Sequence, residues 1–213
     1  MAAHLLLWAL AGPALALLGA CAAPAPAATA PAGTPKVAPM PAAPIAPAVA
    51  QTGILRNPGF ESTVVNRLGD PEGWFSFQHA GAISYRFAVD GSEPHGGMRS
   101  LRIDNIGPEP YGAIAQAVGA APEVGKVVRL SGWLKTRDAN DGGAALTLLV
   151  MQGGAILMEN VMQDRTVKGT TGWTRYAITL PVGKGADRVE AGAKLYGRGS
   201  LWFDDVELEF VAP

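Results

Sequence analysis

Three carboxylates and one alternating strand hold most of the chemistry that this 213-residue chain could perform. Glu61 opens the turn-rich C-terminal part, and Asp204 and Asp205 stand side by side in the closing run Leu201-Trp202-Phe203-Asp204-Asp205-Val206. Calcium takes several hard oxygen ligands, so carboxylates from the first and last strands would suit it if they met at one edge. Alternation groups Asp204 with Val206 and Leu208, and Asp205 with Phe203 and Glu207, and a bulge would reverse this, so both aspartates stay candidates. Turn capping or ion pairing at a strand end is the plainer role of the same groups. Glycoside hydrolysis needs two acids separated across a cleft, which neighbours on one strand are not.

The run Val127–Thr136 alternates cleanly. Val128, Leu130 and Leu134 fall on one face, and Arg129, Ser131, Trp133 and Lys135 on the other. With the apolar set in a core, Trp133 stands on an outer face among polar and charged neighbours. Covered by a loop, the same face would only keep a sheet soluble. Catalytic signatures are missing. Beyond His4 the histidines are His79 and His95, in unrelated loop contexts, and no Ser–His–Asp order, HExxH, cysteine zinc site or phosphate-binding glycine loop occurs. The chain reads as a non-enzyme.

The elements that must position these residues are strands. Glycine and proline are abundant and long amphipathic helical periodicity is absent, which predicts an all-β domain. Strands are expected near 58–62, 73–77, 83–89, 98–104, 112–118, 126–136, 144–151, 173–180, 188–196 and 200–210. Between them lie Asp70-Pro71-Glu72-Gly73, Asp90-Gly91, Gly107-Pro108, Asn140-Asp141-Gly142-Gly143 and Gly197-Arg198-Gly199, all turn chemistry. Trp74, Trp173, Trp202, Phe60, Tyr176 and Phe210 are packing residues of the core or sheet edge. A net charge of −1 with interspersed signs excludes a basic nucleic-acid face.

Ahead of this domain, residues 5–20 form an apolar run that is short for a membrane span and interrupted by Pro13, so a processed export signal is expected over 1–20. Leu18-Gly19-Ala20-Cys21 resembles the bacterial lipobox, which implies acylation of Cys21, the sole cysteine. With Ala22 and no aspartate after the cysteine, resemblance to Gram-negative lipoprotein sorting implies the outer membrane. Acyl chains contribute about 0.8 kcal/mol per buried methylene, enough to anchor without a transmembrane helix. Residues 21–51 carry the lipidated cysteine and an Ala/Pro tether of disordered, polyproline-II character. The folded domain is expected over 52–213.

Asn57-Pro58-Gly59-Phe60-Glu61 with Gly73-Trp74, and Trp202-Phe203-Asp204-Asp205-Val206, resemble the opening and closing strands of the galactose-binding-like jelly roll. That fold includes the carbohydrate-binding modules of families 4, 9 and 22. His79 to Glu209 more closely resembles a bacterial module that is also appended to transcriptional regulators, hydrolases and peptidases. Gly112, Gln116, Gly125–Thr136, Glu159-Asn160, Gln163-Asp164-Arg165 and Lys168–Trp173 carry that likeness, with Val161 inserted and Thr166 in place of a proline. The resemblance implies a two-sheet β-sandwich with jelly-roll topology and a structural calcium on Glu61 with Asp204 or Asp205. It also implies a sugar groove on an outer sheet face, where Trp133 stacks and Gln116, Arg129, Lys135, Asn160 and Arg165 take hydroxyls. The expected function is non-catalytic glycan binding by an envelope lipoprotein; the alternative is a protein-interaction or structural module of the envelope using the same face.

Overall fold

Short β-type runs punctuated by glycine, asparagine and aspartate turns become nine strands in the computed structural model, which describes residues 54–213. The expected signal, Cys21, the whole tether and the first two residues of the expected domain lie outside the described residues. The strands are β1 (Phe75–Gln78), β2 (Tyr85–Asp90), β3 (Ser100–Asn105), β4 (Tyr111–Gly119), β5 (Val127–Gln152), β6 (Ala155–Asn160), β7 (Val167–Pro181), β8 (Arg188–Tyr196) and β9 (Ser200–Val211). A single 3-10 turn, Ala121–Glu123, interrupts them.

Two antiparallel layers share β5. Its first half pairs with β7 on one side and β9 on the other, and β9 continues through β3 to β2. Its second half pairs with β6 and with β8, which continues through β4 to β1. The inner faces of both layers meet in one core that includes Leu101, Ile103, Ile114, Val128, Leu130, Leu134, Leu146, Leu148 and Phe203, all fully buried. Burying each such side chain contributes roughly 1.5–3 kcal/mol. The expected all-β jelly-roll sandwich is the fold.

Three local departures from the expected strands have physical causes. Asn140-Asp141-Gly142-Gly143 does not end a strand. The chain bends there, with positive φ at Asp138 and Gly143, while Thr171, Gly169 and Val167 of β7 carry the pairing across the bend. Two expected strands are therefore one, β5, crossing between layers. The stretch 58–62 is not a strand, because Asn57 and Phe60 take positive φ and Phe60 N–H donates to the Asn57 carbonyl. That turn buries the Phe60 ring against Trp74 (5.0 Å) and Phe203 (5.8 Å). Strand β6 is an addition. Gly153-Gly154, both at positive φ, makes the two-residue hairpin that lets Ala155 pair with Gln152.

Candidate binding faces of the two sheets

Alternation along β5 places Arg129, Trp133 and Lys135 together on the outer face of the β2-β3-β9-β5-β7 layer, with Val128, Leu130 and Leu134 in the core. The loop over residues 91–99 lies across that face. The His95 ring stacks on Trp133 (3.8 Å, 20° between planes) and meets Trp173 edge-on at 5.6 Å. Lys135 Nζ pairs with Glu93 of the same loop at 2.6 Å. Trp202, directly opposite Lys135 in the β5–β9 register, also faces outward yet is only 1% exposed. The Arg102 and Arg137 guanidiniums, each 4.9 Å from its ring centroid, roof it over. Its indole N–H donates to Asp90 Oδ2 at 2.7 Å. Burial alone would raise the Asp90 pKa, but hydrogen bonds from Ser92 and Trp202 and the Arg102 charge bring it below the usual carboxylate value. Arg129 on β5 pairs with Glu209 on β9 (3.1 Å), and Arg175 on β7 reaches Glu207 on β9. A shallow recess of about 360 Å³ remains beside Trp133, between Pro58, Gly59, Asp205, Val206 and Glu207.

The other expected ligand contacts sit elsewhere. Gln116 is 5% exposed on β4, where Oε1 accepts from Arg56 N–H (2.7 Å) and Nε2 donates to the Arg56 carbonyl (2.9 Å). Asn160 Nδ2 donates to the Thr179 carbonyl, and Arg165 Nη2 donates to the Ala177 carbonyl at 2.8 Å. These two fasten the β6–β7 connection onto β7. Of the six expected contacts, the fold thus brings three onto one face; five are hydrogen-bonded or ion-paired within the protein and Trp133 is stacked on His95.

Glu61, Asp204 and Asp205 do converge, on the same loop. Glu61 Oε1 accepts the N–H groups of Met98 (2.8 Å) and Arg99 (3.0 Å). Asp204 Oδ2 accepts those of His95 (2.9 Å) and Gly96 (3.1 Å), and its Oδ1 accepts that of Asp205 (2.8 Å). Asp205 Oδ2 meets His95 Nδ1 at 2.6 Å. A calcium site needs oxygens directed at one point, whereas here five backbone N–H groups are bonded to Glu61 Oε1 and to both Asp204 oxygens. Among the described residues, no group of three or more His, Cys, Asp or Glu is arranged to hold a metal ion. As arranged, the residues do not fit calcium; they clamp the loop.

The outer face of the other layer has a different character. Register aligns Phe77, Ala113, Lys194 and Ala145 in one row, and Phe75, Ala115, Gly192 and Thr147 in the next. The Phe75 and Phe77 rings stack at 6.0 Å, with Phe77 38% exposed. Tyr111 and Tyr196 pair edge-on at 6.3 Å, and Lys194 Nζ lies 4.4 Å and 5.3 Å from their ring centroids. Burial lowers the Lys194 pKa against the opposing pull of Glu159; burial, with the charges of Glu159 and Tyr111, raises that of Tyr196. Small residues (Ala113, Ala115, Gly192, Ala145) thus form a floor, and aromatic rings stand at its sides. The sequence signal was the alternation Phe75-Ser76-Phe77 and Lys194-Leu195-Tyr196 flanking an alanine-rich strand.

No family model matches the chain. The uncharacterized HTH-type transcriptional regulator YbfP of Bacillus subtilis (strain 168) is 27% identical over 134 residues, which is 61% of this chain and 45% of that protein. The chain therefore spans under half the length of that regulator. Among solved structures, the CBM22-1 xylan-binding domain of Paenibacillus barcinonensis Xyn10C matches with a TM-score of 0.52 at 14% identity, over 73% of this chain and 92% of that one. The enzymatically active domain of bacteriophage CBA120 tailspike protein 4 matches at 0.56 and 15%, over 75% of this chain and 21% of that one. A Stig cyclase, Fisc, from Fischerella sp. TAU matches at 0.53 and 12%, over 74% and 96%. At such identities the likeness is one of fold. The fold is a β-sandwich shared with a xylan-binding domain, a cyclase and a tailspike enzyme.

Proposed function

We propose that this domain binds a glycan without transforming it, on the outer face of the β1-β4-β8-β5-β6 layer. The observation that carries the reading is the half-exposed aromatic set, Phe75, Phe77, Tyr111 and Tyr196, around an alanine and glycine floor. Flat rings stack on the apolar C–H faces of pyranoses, and polar groups at the rim fix orientation through hydroxyls. The xylan-binding domain with the same fold supports this class of ligand. Absence of catalysis is part of the proposal: His79 is spent on Glu109 and His95 on Asp205 and Trp133. We place the domain on an envelope lipoprotein, acylated at Cys21 and held off the outer membrane by the Ala/Pro tether.

The test is a broad glycan array followed by calorimetry on the full-length chain, with Phe77→Ala, Tyr196→Ala and Trp133→Ala alongside. Specific binding is expected, weakened about tenfold, or roughly 1.4 kcal/mol, by either of the first two changes. Trp133→Ala is expected to leave it unchanged, because that ring is stacked beneath the loop. Loss through Trp133→Ala alone would move the site to the other layer, and silence from folded protein would sink the reading.

A second reading, a protein partner in the envelope, is favoured by β6. That strand hydrogen-bonds to β5 on one side and exposes Ile156, Leu157 and Met158, features that invite strand addition. Pull-down from envelope extract that survives Phe77→Ala but fails when Leu157 becomes lysine would select it.

A further inference from the structure

The glycan face carries charge in an uneven way. Arg188 and Glu190 neutralise each other at 3.1 Å, and Glu109 bonds to the His79 ring at 3.0 Å. Lys194 stands apart. Among the described residues no carboxylate lies within 4.0 Å of its ammonium, and its neighbours are the Tyr111 and Tyr196 rings. Glu159 on β6 acts on it only at longer range. Half-buried, this ammonium has lost part of its hydration and gained ring faces in exchange.

Register decides who can reach it. Lys194 lies directly between Ala113 on β4 and Ala145 on β5, each a single methyl group, the smallest side chain with a Cβ. Neither can cover it from the side. Phe77 lies beyond Ala113 in the same row, two strand spacings or about 9–10 Å from Lys194. A saccharide chain lying along the row, across the strands, would stack one ring on Phe77 and present the next unit to the ammonium.

Resting on the glycan reading above, we propose that the ligand of this face is an acidic polysaccharide, a uronate-containing chain whose carboxylate pairs with Lys194. The pairing supplies the anion that the protein does not, and discriminates against neutral chains of the same shape. Lys194 sets specificity and the aromatic rings supply the general grip. Glu159, whose charge reaches Lys194, opposes an anionic ligand and limits its affinity.

The experiment uses the full-length chain with polygalacturonate and glucuronoxylan, each against its carboxyl-reduced form, and with dextran sulfate. The uronate chains are expected to bind at least tenfold tighter than their reduced forms, with affinity falling as salt is raised. Lys194→Met is expected to remove that preference, so that acidic and reduced chains bind alike; Lys194→Arg is expected to keep it. Glu159→Gln, a surface change that spares folding, is expected to tighten uronate binding two- to fivefold. Equal binding of acidic and reduced chains overturns the acidic inference while the glycan reading stands. Dextran sulfate matching or exceeding the uronates overturns the carboxylate in favour of any anion. Failure of every polysaccharide to bind folded protein overturns both.

Discussion

Replacing Asp204 by alanine is expected to lower stability by about 3 kcal/mol at pH 5, and by less above pH 7. The side chain is fully buried and accepts three backbone N–H groups, from His95, Gly96 and Asp205. Alanine would leave those donors without partners, and each sheltered unsatisfied N–H costs about 1–3 kcal/mol. The pH dependence follows from burial, which raises the Asp204 pKa from 3.8 to about 6, against the pull of the three N–H donors. A folded pKa above the unfolded one means that the folded chain holds the proton more tightly. The stabilisation tied to that proton is complete below pH 3.8 and is lost as pH rises through about 6. It amounts to something on the order of 3 kcal/mol. Urea denaturation of wild type and variant from pH 4 to 8 reads the difference directly. Other carboxylates, such as Asp90 with its lowered pKa, cancel in that difference. A gap that widened with rising pH would show that Asp204 is held as an anion, with its three N–H donors outweighing burial, and would overturn the raised pKa. Millimolar calcium is expected to leave the wild-type curve in place. A calcium-induced rise absent from the variant would mean that these oxygens leave their N–H donors and take the ion.

The same residues show what could be read from the chain alone. Strand positions and the alternation of Val127–Thr136 were legible because one buried face forces a period of two. The convergence of Glu61 with Asp204 and Asp205 was legible as well, through the likeness of the flanking motifs. Their use was not, since the 91–99 loop brings N–H groups to Glu61 from 37 and 38 residues away and to Asp204 from 109 and 108, which local pattern does not encode. Trp133 was placed on the correct face for the same periodic reason. What covers it is the His95 ring, again from that loop. Gln116 read as a polar residue on an outer face, but it is consumed by the backbone of Arg56, sixty residues away. The Gly153-Gly154 hairpin was a local signal that predicts β6 without any tertiary information. Phe75, Phe77, Lys194 and Tyr196 were assigned to strands, yet their meeting depends on β4 and β8 lying side by side, a long-range pairing.

That pairing is also the weakest point for substitution, and Gly192→Ala is expected to break it. A Cβ built on Gly192 would sit 1.9 Å from the Ile114 carbonyl oxygen and 2.8 Å from Ala115 Cα. Both atoms belong to the backbone of β4, so no side chain can swing aside to make room. Relief requires β4 to move away from β8, yet their ladder runs unbroken from Tyr111↔Tyr196 to Gly119↔Arg188. Strand β8 is held on its other side by β5, so the gap must open on the β4 side. Overpacking of this kind costs about 1–3 kcal/mol or more, and a fixed backbone places it at the upper end. For a domain of this size the melting temperature should fall by roughly 6–12 °C. Gly119→Ala is the matched control, on the same strand pair with no atom within 4 Å of the added Cβ. It should melt within about 2 °C of wild type. The functional consequence is larger than the stability loss. Phe75, Phe77 and Tyr111 stand on the β1–β4 side of the gap, and Lys194 and Tyr196 stand on β8. Separation of the two strands pulls the aromatic rings away from the lysine. Any Gly192→Ala protein that remains folded should therefore bind glycan at least tenfold more weakly while Gly119→Ala binds as wild type. Retained affinity in a Gly192→Ala protein of lowered melting temperature would show that the two halves of this face bind separately. A Gly192→Ala protein as stable as wild type would mean that β4 and β8 approach less closely in solution than the 1.9 Å contact requires.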